Sequence, residues 1–213
     1  MQCDRIARPY RWFEYIAFGR ALERCRFRYL PAVQHCSNAL LLGDGDGRFL
    51  CELAAANPAI QLDSVDSSLG MLREARQRAQ RRGIANPRRI QLAHSDAFRY
   101  SLPPNRYDLV VANFFFDCFS TISVEELVKR ILPACRAKAF WVISEFQQPA
   151  AGWRAWHARV WLTTMYCFFG LTTGLATRRL PNYAKVLEGA GLQLLSKTTS
   201  RTGLISAELW RTD

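Results

Sequence analysis

The sequence Ala39-Leu40-Leu41-Leu42-Gly43-Asp44-Gly45-Asp46-Gly47 decides the fold of this chain. Its first four residues are apolar, which is typical of a parallel strand whose two faces are both covered. Three glycines follow at alternate positions, and Arg48 to Ala56 then begin a helix. A strand, a glycine turn and a helix in this order let a ligand approach the backbone and meet free N–H groups at the helix start. The stretch therefore predicts a ligand-binding turn.

The spacing of these glycines argues against three common sites. A dinucleotide fingerprint needs a third glycine where this chain has Arg48, which disfavours a nicotinamide-dependent oxidoreductase. The turn is not followed by the Gly-Lys-Ser/Thr of a phosphate-binding loop. A calcium loop would place Leu42 and Leu53 where carboxylates are required. A glycine- and aspartate-rich turn that binds nothing stays open as the plain alternative.

Polar residues end each of the next three predicted strands. Residues 60–65 are followed by Asp66, about twenty residues past the turn, where an acid of this type of fold holds a ribose diol. Ser67 and Ser68 can cap the helix that runs from Leu69 to Arg82. The third strand is predicted over Arg89–His94 and is followed by Ser95-Asp96-Ala97. The fourth strand is predicted over Tyr107–Asn113 and is followed by Phe114-Phe115-Phe116-Asp117.

The second half of the chain continues the same alternation. Residues 138–145 predict a fifth strand, and the helix before it has a capping-box pattern of Ser123 with Glu126. Another helix opens at Pro181-Asn182-Tyr183. The last two strands are predicted over Leu192–Thr198 and Leu204–Trp210.

The order and spacing of these landmarks resemble those of class I S-adenosylmethionine-dependent methyltransferases. The resemblance covers nearly the whole chain, and its N-terminal and C-terminal motifs are most similar to the branch that contains ubiquinone and menaquinone methyltransferases. It implies an α/β, Rossmann-like fold: a seven-stranded, mostly parallel sheet with an antiparallel last strand and helices on both faces. It also implies an N-terminal helical cap and a helical insertion after strand 5. The motifs that carry it are Leu40-x-x-Gly43-x-Gly45-x-Gly47, Val65-Asp66, Ser95-Asp96-Ala97, Tyr107–Asn113 and Leu132-Pro133.

The resemblance implies S-adenosylmethionine as cofactor, S-adenosylhomocysteine as product, and a role for each matching position. The three glycines would pass beneath the methionine portion, and Asp66 would hold the ribose hydroxyls. The adenine would meet Asp96, Ala97 and either Ser67 or Met71, and the sulfonium and acceptor would lie beside Asn113 and Phe114. One position departs from the family, because Leu41 replaces the usual acid two residues before the first glycine. Our hypothesis is that Asp44 contacts the cofactor's ammonium instead.

An aromatic segment is expected to form the acceptor pocket. Residues 153–175 are rich in Trp, Phe and Met and follow the fifth strand, where this fold commonly builds such a pocket. This favours methyl transfer to a small hydrophobic or aromatic acceptor; a helix packed on the N-terminal arm, or a dimer interface, is the alternative. The predicted pocket residues are Tyr15, Phe116, Trp161, Met165 and Phe169, and the candidate bases are Asp117, Tyr10, His157 and Tyr166.

Length and composition predict one domain. A chain of 213 residues with 49% hydrophobic residues can bury a sizeable core. We divide it into an N-terminal helical cap (1–36), a cofactor-binding core (37–146), an acceptor-pocket insertion (147–180) and a final helix and hairpin (181–213). The seven scattered cysteines, and the lack of a signal-peptide pattern at the start, suggest a cytoplasmic protein. The three histidines lie far apart in sequence, so no metal site is predicted.

The net charge of +11 points to anionic partners. An arginine-rich N-terminal arm interleaved with aromatic residues suits either nucleic acid or a membrane surface. Nucleic acid is the less favoured partner, because Asn113-Phe114-Phe115-Phe116 lacks the Asn/Asp-Pro-Pro-aromatic pattern of many base-methylating relatives. An RNA methyltransferase, a non-catalytic S-adenosylmethionine-binding protein, peripheral membrane association and a homodimer all stay open.

Overall fold

A seven-stranded sheet organises the chain. The computed structural model describes residues 20–147, 180–200 and 203–213. The strand order is β3-β2-β1-β4-β5-β7-β6, with β7 antiparallel to both of its neighbours and the pairs from β3 to β5 parallel. The strands are β1 (Asn38–Leu42), β2 (Gln61–Asp66), β3 (Ile90–His94), β4 (Tyr107–Asn113), β5 (Cys135–Phe146), β6 (Gln193–Thr199) and β7 (Ile205–Arg211). This confirms the predicted fold class.

Helices cover both faces of the sheet. They are α1 (Ala21–Arg26), α2 (Leu30–Val33), α3 (Arg48–Ala56), α4 (Leu69–Arg81), α5 (Thr121–Ile131) and α6 (Tyr183–Gly189), with short 3-10 turns over Phe116–Cys118 and Leu132–Ala134. On one face, Phe49 and Leu53 of α3 pack on Leu41 and Val111. On the other face, α5 and α6 pack on the sheet, where Trp141 and Trp210 are fully buried.

The helix starts follow their capping residues. Ser68 caps α4 as predicted, because its side chain accepts a hydrogen bond from the Met71 N–H. The capping prediction for α5 was wrong by one turn. Ser120, not Ser123, is the N-cap, and its Oγ accepts the Ser123 N–H at 3.1 Å. Both serines are residue types that cap helices, and the structure shows the extended backbone of an N-cap at Ser120.

The strand bounds agree with the predicted ones within a residue or so, except for β5. That strand begins at Cys135, where Cys135 pairs with Tyr107, and a register shift follows before Leu109 pairs with Phe140. A bulge of this kind carries no hydrophobic signature that a sequence pattern could reveal. The N-terminal residues before 20 and most of the predicted insertion, residues 148–179, lie outside the described chain, so the division of the domain stays a prediction.

The arrangement creates a crevice between β1 and β4. The chain moves outward from β1 to β2 and β3 and then returns to β4 on the other side, so the strand order reverses there. In open α/β sheets, ligands bind at the carboxyl ends of the strands beside such a reversal. Leu42, Asp66, His94 and Asn113 end their strands at this edge. Within the described residues, no helix is long and apolar enough to cross a membrane.

Candidate active site

The glycine turn after β1 forms the floor of the crevice. Gly43, Gly45 and Gly47 all have positive φ angles, of 58°, 62° and 74°, which residues with a Cβ rarely adopt. The Gly43 N–H donates to the carbonyl of Val65 at 2.9 Å and joins the turn to β2. Gly47 is the N-cap of α3, so the turn leads directly into the start of a nine-residue helix at the edge of the sheet.

The three glycines are needed for different reasons. A Cβ at Gly43 would run into the ring of Phe115, and one at Gly47 would lie 2.7 Å from the Cβ of Ala75 in α4. Among the described residues, a Cβ at Gly45 would find only the Met71 Sδ within 4 Å, at 3.7 Å. Close packing inside the protein therefore requires Gly43 and Gly47, whereas the described residues leave room for a ligand to lie against the backbone of Gly45.

Asp66 joins the end of β2 to this turn. Its Oδ2 accepts the Gly45 N–H at 3.2 Å and its Oδ1 accepts the Ser68 N–H at 2.8 Å. Burial raises the pKa of this carboxyl, and the two backbone N–H donors and His94 oppose the rise. Each carboxylate oxygen keeps a second lone pair, so Asp66 can accept hydroxyl groups beside the open space at Gly45. The residues therefore fit the ribose of S-adenosylmethionine.

The predicted adenine contacts come together at the neighbouring strand end. Asp66 pairs with His94 in the β2–β3 register, and the His94 Nε2 lies 3.1 Å from the carbonyl oxygen of Ser67. Asp96 is exposed and accepts the Phe98 N–H at 2.9 Å, while Ala97 is half-buried. The structure thus places Asp66, Ser67 and Asp96 along one edge, as the sequence predicts; their individual roles stay predictions.

Asp44 has a structural task at the start of α3. Its two oxygens accept the N–H groups of Phe49 and Leu50 at 3.3 and 3.0 Å. Burial raises the pKa of this carboxyl to about 6, with the positive charge of Arg26 opposing the rise. The carboxylate thus satisfies two N–H groups that a helix start otherwise leaves unpaired. The hypothesised contact to an ammonium must share these oxygens with the helix.

The residues after β4 are held in an unusual backbone conformation. Phe114 has a φ of 55°, and its N–H donates to the carbonyl of Ser144 at 2.6 Å. A residue with a large side chain rarely adopts this region, and such strain clusters at functional sites. Asn113 beside it is 5% exposed, and its amide nitrogen and oxygen have no partner among the described residues. An unsatisfied buried amide fits a position that meets a ligand.

Glu145 of β5 is a site residue that the sequence analysis missed. Its Oε1 accepts the N–H groups of Phe115 and Phe116 at 3.0 and 2.7 Å, so it fixes the chain after β4. The side chain is 1% exposed, and its Oε2 has no partner among the described residues. Burial, followed by the charge of Asp117, raises its pKa well above the usual range. A carboxylate near the end of an apolar strand was the available signal.

Asp117, the predicted base, lies at the same edge. Its carboxyl is buried, and its Oδ1 accepts the Cys118 thiol at 3.5 Å. Burial raises the pKa of Asp117 to about 6. Burial, followed by the charges of Asp117 and Glu145 and, last, that of Asp66, raises the pKa of the Cys118 thiol.

Phe116 is placed differently from the prediction. Its ring is fully buried in the core between sheet and helices, 6.2 Å from the ring of Tyr183. Because the ring is fully buried, it offers no surface to an acceptor. The remaining predicted pocket and base residues lie outside the described residues: Tyr10, Tyr15, His157, Trp161, Met165, Tyr166 and Phe169. Within the described ranges, no cluster of His, Cys, Asp and Glu could hold a metal ion.

Comparison with known proteins agrees with this geometry. Residues 39–138 match a family model described as a methyltransferase domain. The carboxy-S-adenosyl-L-methionine synthase of Nautilia profundicola is 27% identical over 104 residues, which cover 49% of this chain and 42% of the relative. The chain thus matches less than half the length of that protein. This match agrees with the predicted class of protein, a class I S-adenosylmethionine-dependent methyltransferase, and with the predicted cofactor.

Solved structures share the fold at low sequence identity. The mitomycin 7-O-methyltransferase MmcR superposes with a TM-score of 0.68 at 17% identity, covering 98% of this chain and 60% of that one. The N-methyltransferase NodS of Bradyrhizobium japonicum WM9, in complex with S-adenosyl-L-homocysteine, has a TM-score of 0.62 at 15% identity, covering 92% and 87%. The [4+2]-cyclase SpnF has a TM-score of 0.63 at 17% identity, covering 87% and 80%. One fold therefore hosts different reactions, and the acceptor must be argued from the site.

Proposed function

We propose that this chain transfers the methyl group of S-adenosylmethionine to a small hydrophobic or aromatic acceptor. The observation that carries the proposal is the room left over Gly45 by the described residues, beside Asp66, which accepts the Gly45 N–H. At the end of β4, the buried amide of Asn113 has no partner among the described residues. The class of the domain supports the cofactor half of the proposal. The aromatic rings beside this edge support the acceptor half.

Half-buried phenylalanines form a wall at the carboxyl edge of the sheet. The rings of Phe115 and Phe119 have centroids 5.0 Å apart, and those of Phe98 and Phe119 are 5.3 Å apart, both pairs edge to face. On the side of β5, Phe114 lies 5.1 Å from Phe146. These rings keep part of their surface exposed, except for Phe146, which is buried. Aromatic rings at the mouth of a site favour an apolar or aromatic ligand over a strongly hydrated one.

The chemistry asks little of the protein beyond positioning. Bound S-adenosylmethionine supplies a methyl group that is already activated on a sulfonium. The residues of this chain then contribute proximity, alignment and exclusion of water. Gly45 allows close approach of the cofactor, Asp66 orients its ribose, and the phenylalanine wall keeps water from the acceptor.

Among the described residues, Asp117 is the candidate base that lies at this edge of the sheet. Its pKa of about 6 means that it is ionised at neutral pH and still basic enough to accept a proton. Burial is the cause of the raised pKa of Asp117. Because Asp117 and Glu145 carry like charges close together, the two carboxyls together favour the uptake of one proton. An acceptor that must lose a proton, such as a phenol, would use this group.

A methyl-transfer assay tests the proposal. The chain is incubated with methyl-labelled S-adenosylmethionine and a panel of phenols, hydroquinones and aromatic amines, with aliphatic alcohols and sugars as comparison. We expect label in the aromatic class. Phe119→Ala should lower kcat/KM for the preferred acceptor at least about tenfold, in line with the loss of a stacking contact and its buried area, while Ile122→Ala, 78% exposed on α5, should not. Label only in sugars or alcohols would contradict the proposal.

RNA methylation is a second candidate, supported by an exposed basic face. Helix α4 starts close after Asp66. This helix and the loop after it carry four exposed arginines: Arg73, Arg76, Arg81 and Arg88. RNA binding through such a face would weaken steeply with salt. Filter binding of single-stranded RNA at several salt concentrations, with Arg73→Gln/Arg76→Gln as variant, tests this candidate. Weak, salt-independent binding would remove it.

We also propose a cytoplasmic location and two further partners. The same positive charge would attract an anionic membrane surface, which vesicle sedimentation with and without phosphatidylserine would detect. Leu194 and Leu195 on the edge strand β6 are 44% and 42% exposed, which favours contact with a second copy of the chain. Analytical ultracentrifugation measures that contact directly.

A further inference from the structure

Arg78 of helix α4 binds the glycine turn at Asp46. Its Nε donates to the Asp46 carbonyl oxygen at 2.8 Å, and its Nη2 donates to the Asp46 Oδ2 at 2.5 Å. One guanidinium thus holds both the main chain and the side chain of the same residue. Arg48, at the start of α3, adds a contact to the Asp46 Oδ2 at 3.2 Å. The Asp46 side chain is only 14% exposed, and partial burial makes such charged contacts stronger than they are in water.

The same helix meets the turn at a second point. Ala75 lies three residues before Arg78, and residues at this spacing share one face of a helix. A Cβ at Gly47 would lie 2.7 Å from the Ala75 Cβ, so the helix packs directly against the turn there. The contact at Ala75 sets how closely α4 approaches, and the contacts of Arg78 bind the two segments together.

Gly45 therefore lies between two fixed points. Its own N–H donates to the Asp66 Oδ2 at 3.2 Å, and the next residue, Asp46, is held by Arg78. The turn has three glycines within five residues, and glycine loses more conformational freedom on ordering than any other residue. Contacts that order the turn before a ligand arrives lower the entropy that binding must otherwise overcome.

We propose that Arg78 is a positioning residue for the cofactor: by clamping Asp46, it keeps the turn in the conformation in which Gly45 receives S-adenosylmethionine. Arg78 acts through Asp46 and does not touch the cofactor itself. The inference rests on the proposed function and adds a residue pair that neither the glycine spacing nor the family landmarks supply. It also separates the tasks of the two acids in the turn, because Asp44 accepts the N–H groups at the start of α3 while Asp46 accepts the guanidinium of α4.

The clamp predicts a ranked loss of cofactor affinity. When a site reaches its binding conformation only part of the time, the apparent affinity falls in proportion to that fraction. Arg78→Met removes both contacts to Asp46, and we expect it to weaken the binding of S-adenosylhomocysteine about tenfold, the lower end of the usual effect of a lost hydrogen bond to a charged group. Asp46→Ala keeps the carbonyl oxygen that accepts the Arg78 Nε, so its loss should be smaller, about threefold.

Isothermal titration calorimetry with S-adenosylhomocysteine provides the test, and urea denaturation of each variant gives its folded fraction. Arg82→Met is the matched control: Arg82 lies on α4 or at its end and pairs with Glu52 of α3 at 2.7 Å, so its loss breaks a contact between helices without touching the turn. Its affinity should stay unchanged. Arg78→Lys should recover part of the loss, because it keeps the charge but not the planar set of donors.

Two readouts separate positioning from a merely structural role. In the methyl-transfer assay, Arg78→Met should raise the KM for S-adenosylmethionine about tenfold, the same factor as the loss of affinity, while kcat at saturating cofactor changes little, because bound cofactor orders the turn. If Arg78 acts through Asp46, the double variant Arg78→Met/Asp46→Ala should bind S-adenosylhomocysteine no more weakly than Arg78→Met alone.

The outcomes also distinguish this inference from the proposed function. Unchanged affinity per folded molecule in Arg78→Met, or losses that multiply in the double variant, would overturn the clamp while the cofactor assignment stands. An equal loss of affinity in Arg82→Met would overturn it too, because any weakened contact of α4 would then have the same effect. Failure of the unaltered chain to bind S-adenosylhomocysteine would overturn the proposed function and this inference with it. If Arg78→Met does not fold, Arg78→Lys and Asp46→Ala carry the same comparison.

Discussion

Alanine at Gly45 is expected to remove cofactor binding while the chain stays folded. The φ of 62° places the new Cβ in the left-handed region, which costs about 1–2 kcal/mol. No packing cost follows, because the Met71 Sδ at 3.7 Å is at an ordinary contact distance. The Cβ instead enters the space assigned to the methionine portion of the cofactor. Gly45→Ala should therefore lose most of its affinity for S-adenosylhomocysteine for a small loss of stability.

Gly47→Ala is the matched comparison in the same turn. Its φ of 74° carries the same backbone cost, and its Cβ would also lie 2.7 and 2.9 Å from the Cβ and Cα of Ala75. Because α4 must move to accept it, overpacking adds about 1–3 kcal/mol. The total of about 2–5 kcal/mol is a large part of the stability of a typical domain.

Two assays compare the two variants. Urea denaturation followed by circular dichroism gives the free energy of unfolding, and calorimetry gives the affinity for S-adenosylhomocysteine. We expect Gly47→Ala to be the less stable variant and Gly45→Ala to be the weaker binder per folded molecule. Equal destabilisation of the two variants, or full affinity in Gly45→Ala, would refute the separate roles assigned to these glycines.

Two further predictions concern stability. Burial raises the pKa of the Asp117 carboxyl from 3.8 to about 6, so the folded chain binds the proton of this carboxyl more tightly than the unfolded chain does. The protonated carboxyl therefore stabilises the fold fully below about pH 4, and this stabilisation of about 3 kcal/mol is lost as the pH rises through about 6. Urea denaturation at pH 5 and pH 7.5 should show this decline, and Asp117→Asn should flatten it while the exposed Asp96→Asn does not; an unchanged slope in Asp117→Asn would exclude this carboxyl as its source. Ser68→Ala removes the N-cap of α4 and should lower the unfolding free energy by about 1 kcal/mol, whereas Ser67→Ala, whose side chain does not cap, should not; equal losses would contradict the cap assignment.

Local patterns explain what the sequence could predict. The turn after β1 and the acid at the end of β2 follow from short stretches in which the strand, the glycines and the helix start determine one another. The family resemblance implied the roles of Asp96 and Asn113, and the carboxyl ends of parallel strands, which meet at one edge, are where ligands bind in this type of sheet.

The features that the sequence could not predict depend on contacts between distant segments. Glu145 holds the N–H groups of Phe115 and Phe116 across 30 and 29 residues, and Arg26 reaches Phe114 from a helix near the other end of the chain. No periodicity links such positions. The prediction that Phe116 lines the acceptor pocket was wrong for a related reason. In a run of three phenylalanines after a strand, the sequence alone does not show which ring enters the core.

The aspartates of the glycine turn show a second limit. The departure from the family pattern at Leu41 suggested that Asp44 replaces the missing acid, but a carboxylate after the first glycine also accepts the N–H groups at the start of α3. Leu41 itself is fully buried against the core, where an ionised acid would be costly. The chain thus keeps an apolar residue in the strand and supplies its helix-capping carboxylate from the turn.

Binding of S-adenosylhomocysteine to the unaltered chain and to Asp66→Ala tests the central claim most directly. Calorimetric titration should show one site per chain in the unaltered protein. That binding should be lost or strongly weakened in Asp66→Ala, since we propose that the carboxylate orients the ribose, and it also accepts the Gly45 N–H. Glu125→Ala, which removes an equally charged but exposed side chain on α5, should bind normally. No binding by the unaltered chain, or equal binding by Asp66→Ala, would contradict the assignment of this crevice as the cofactor site.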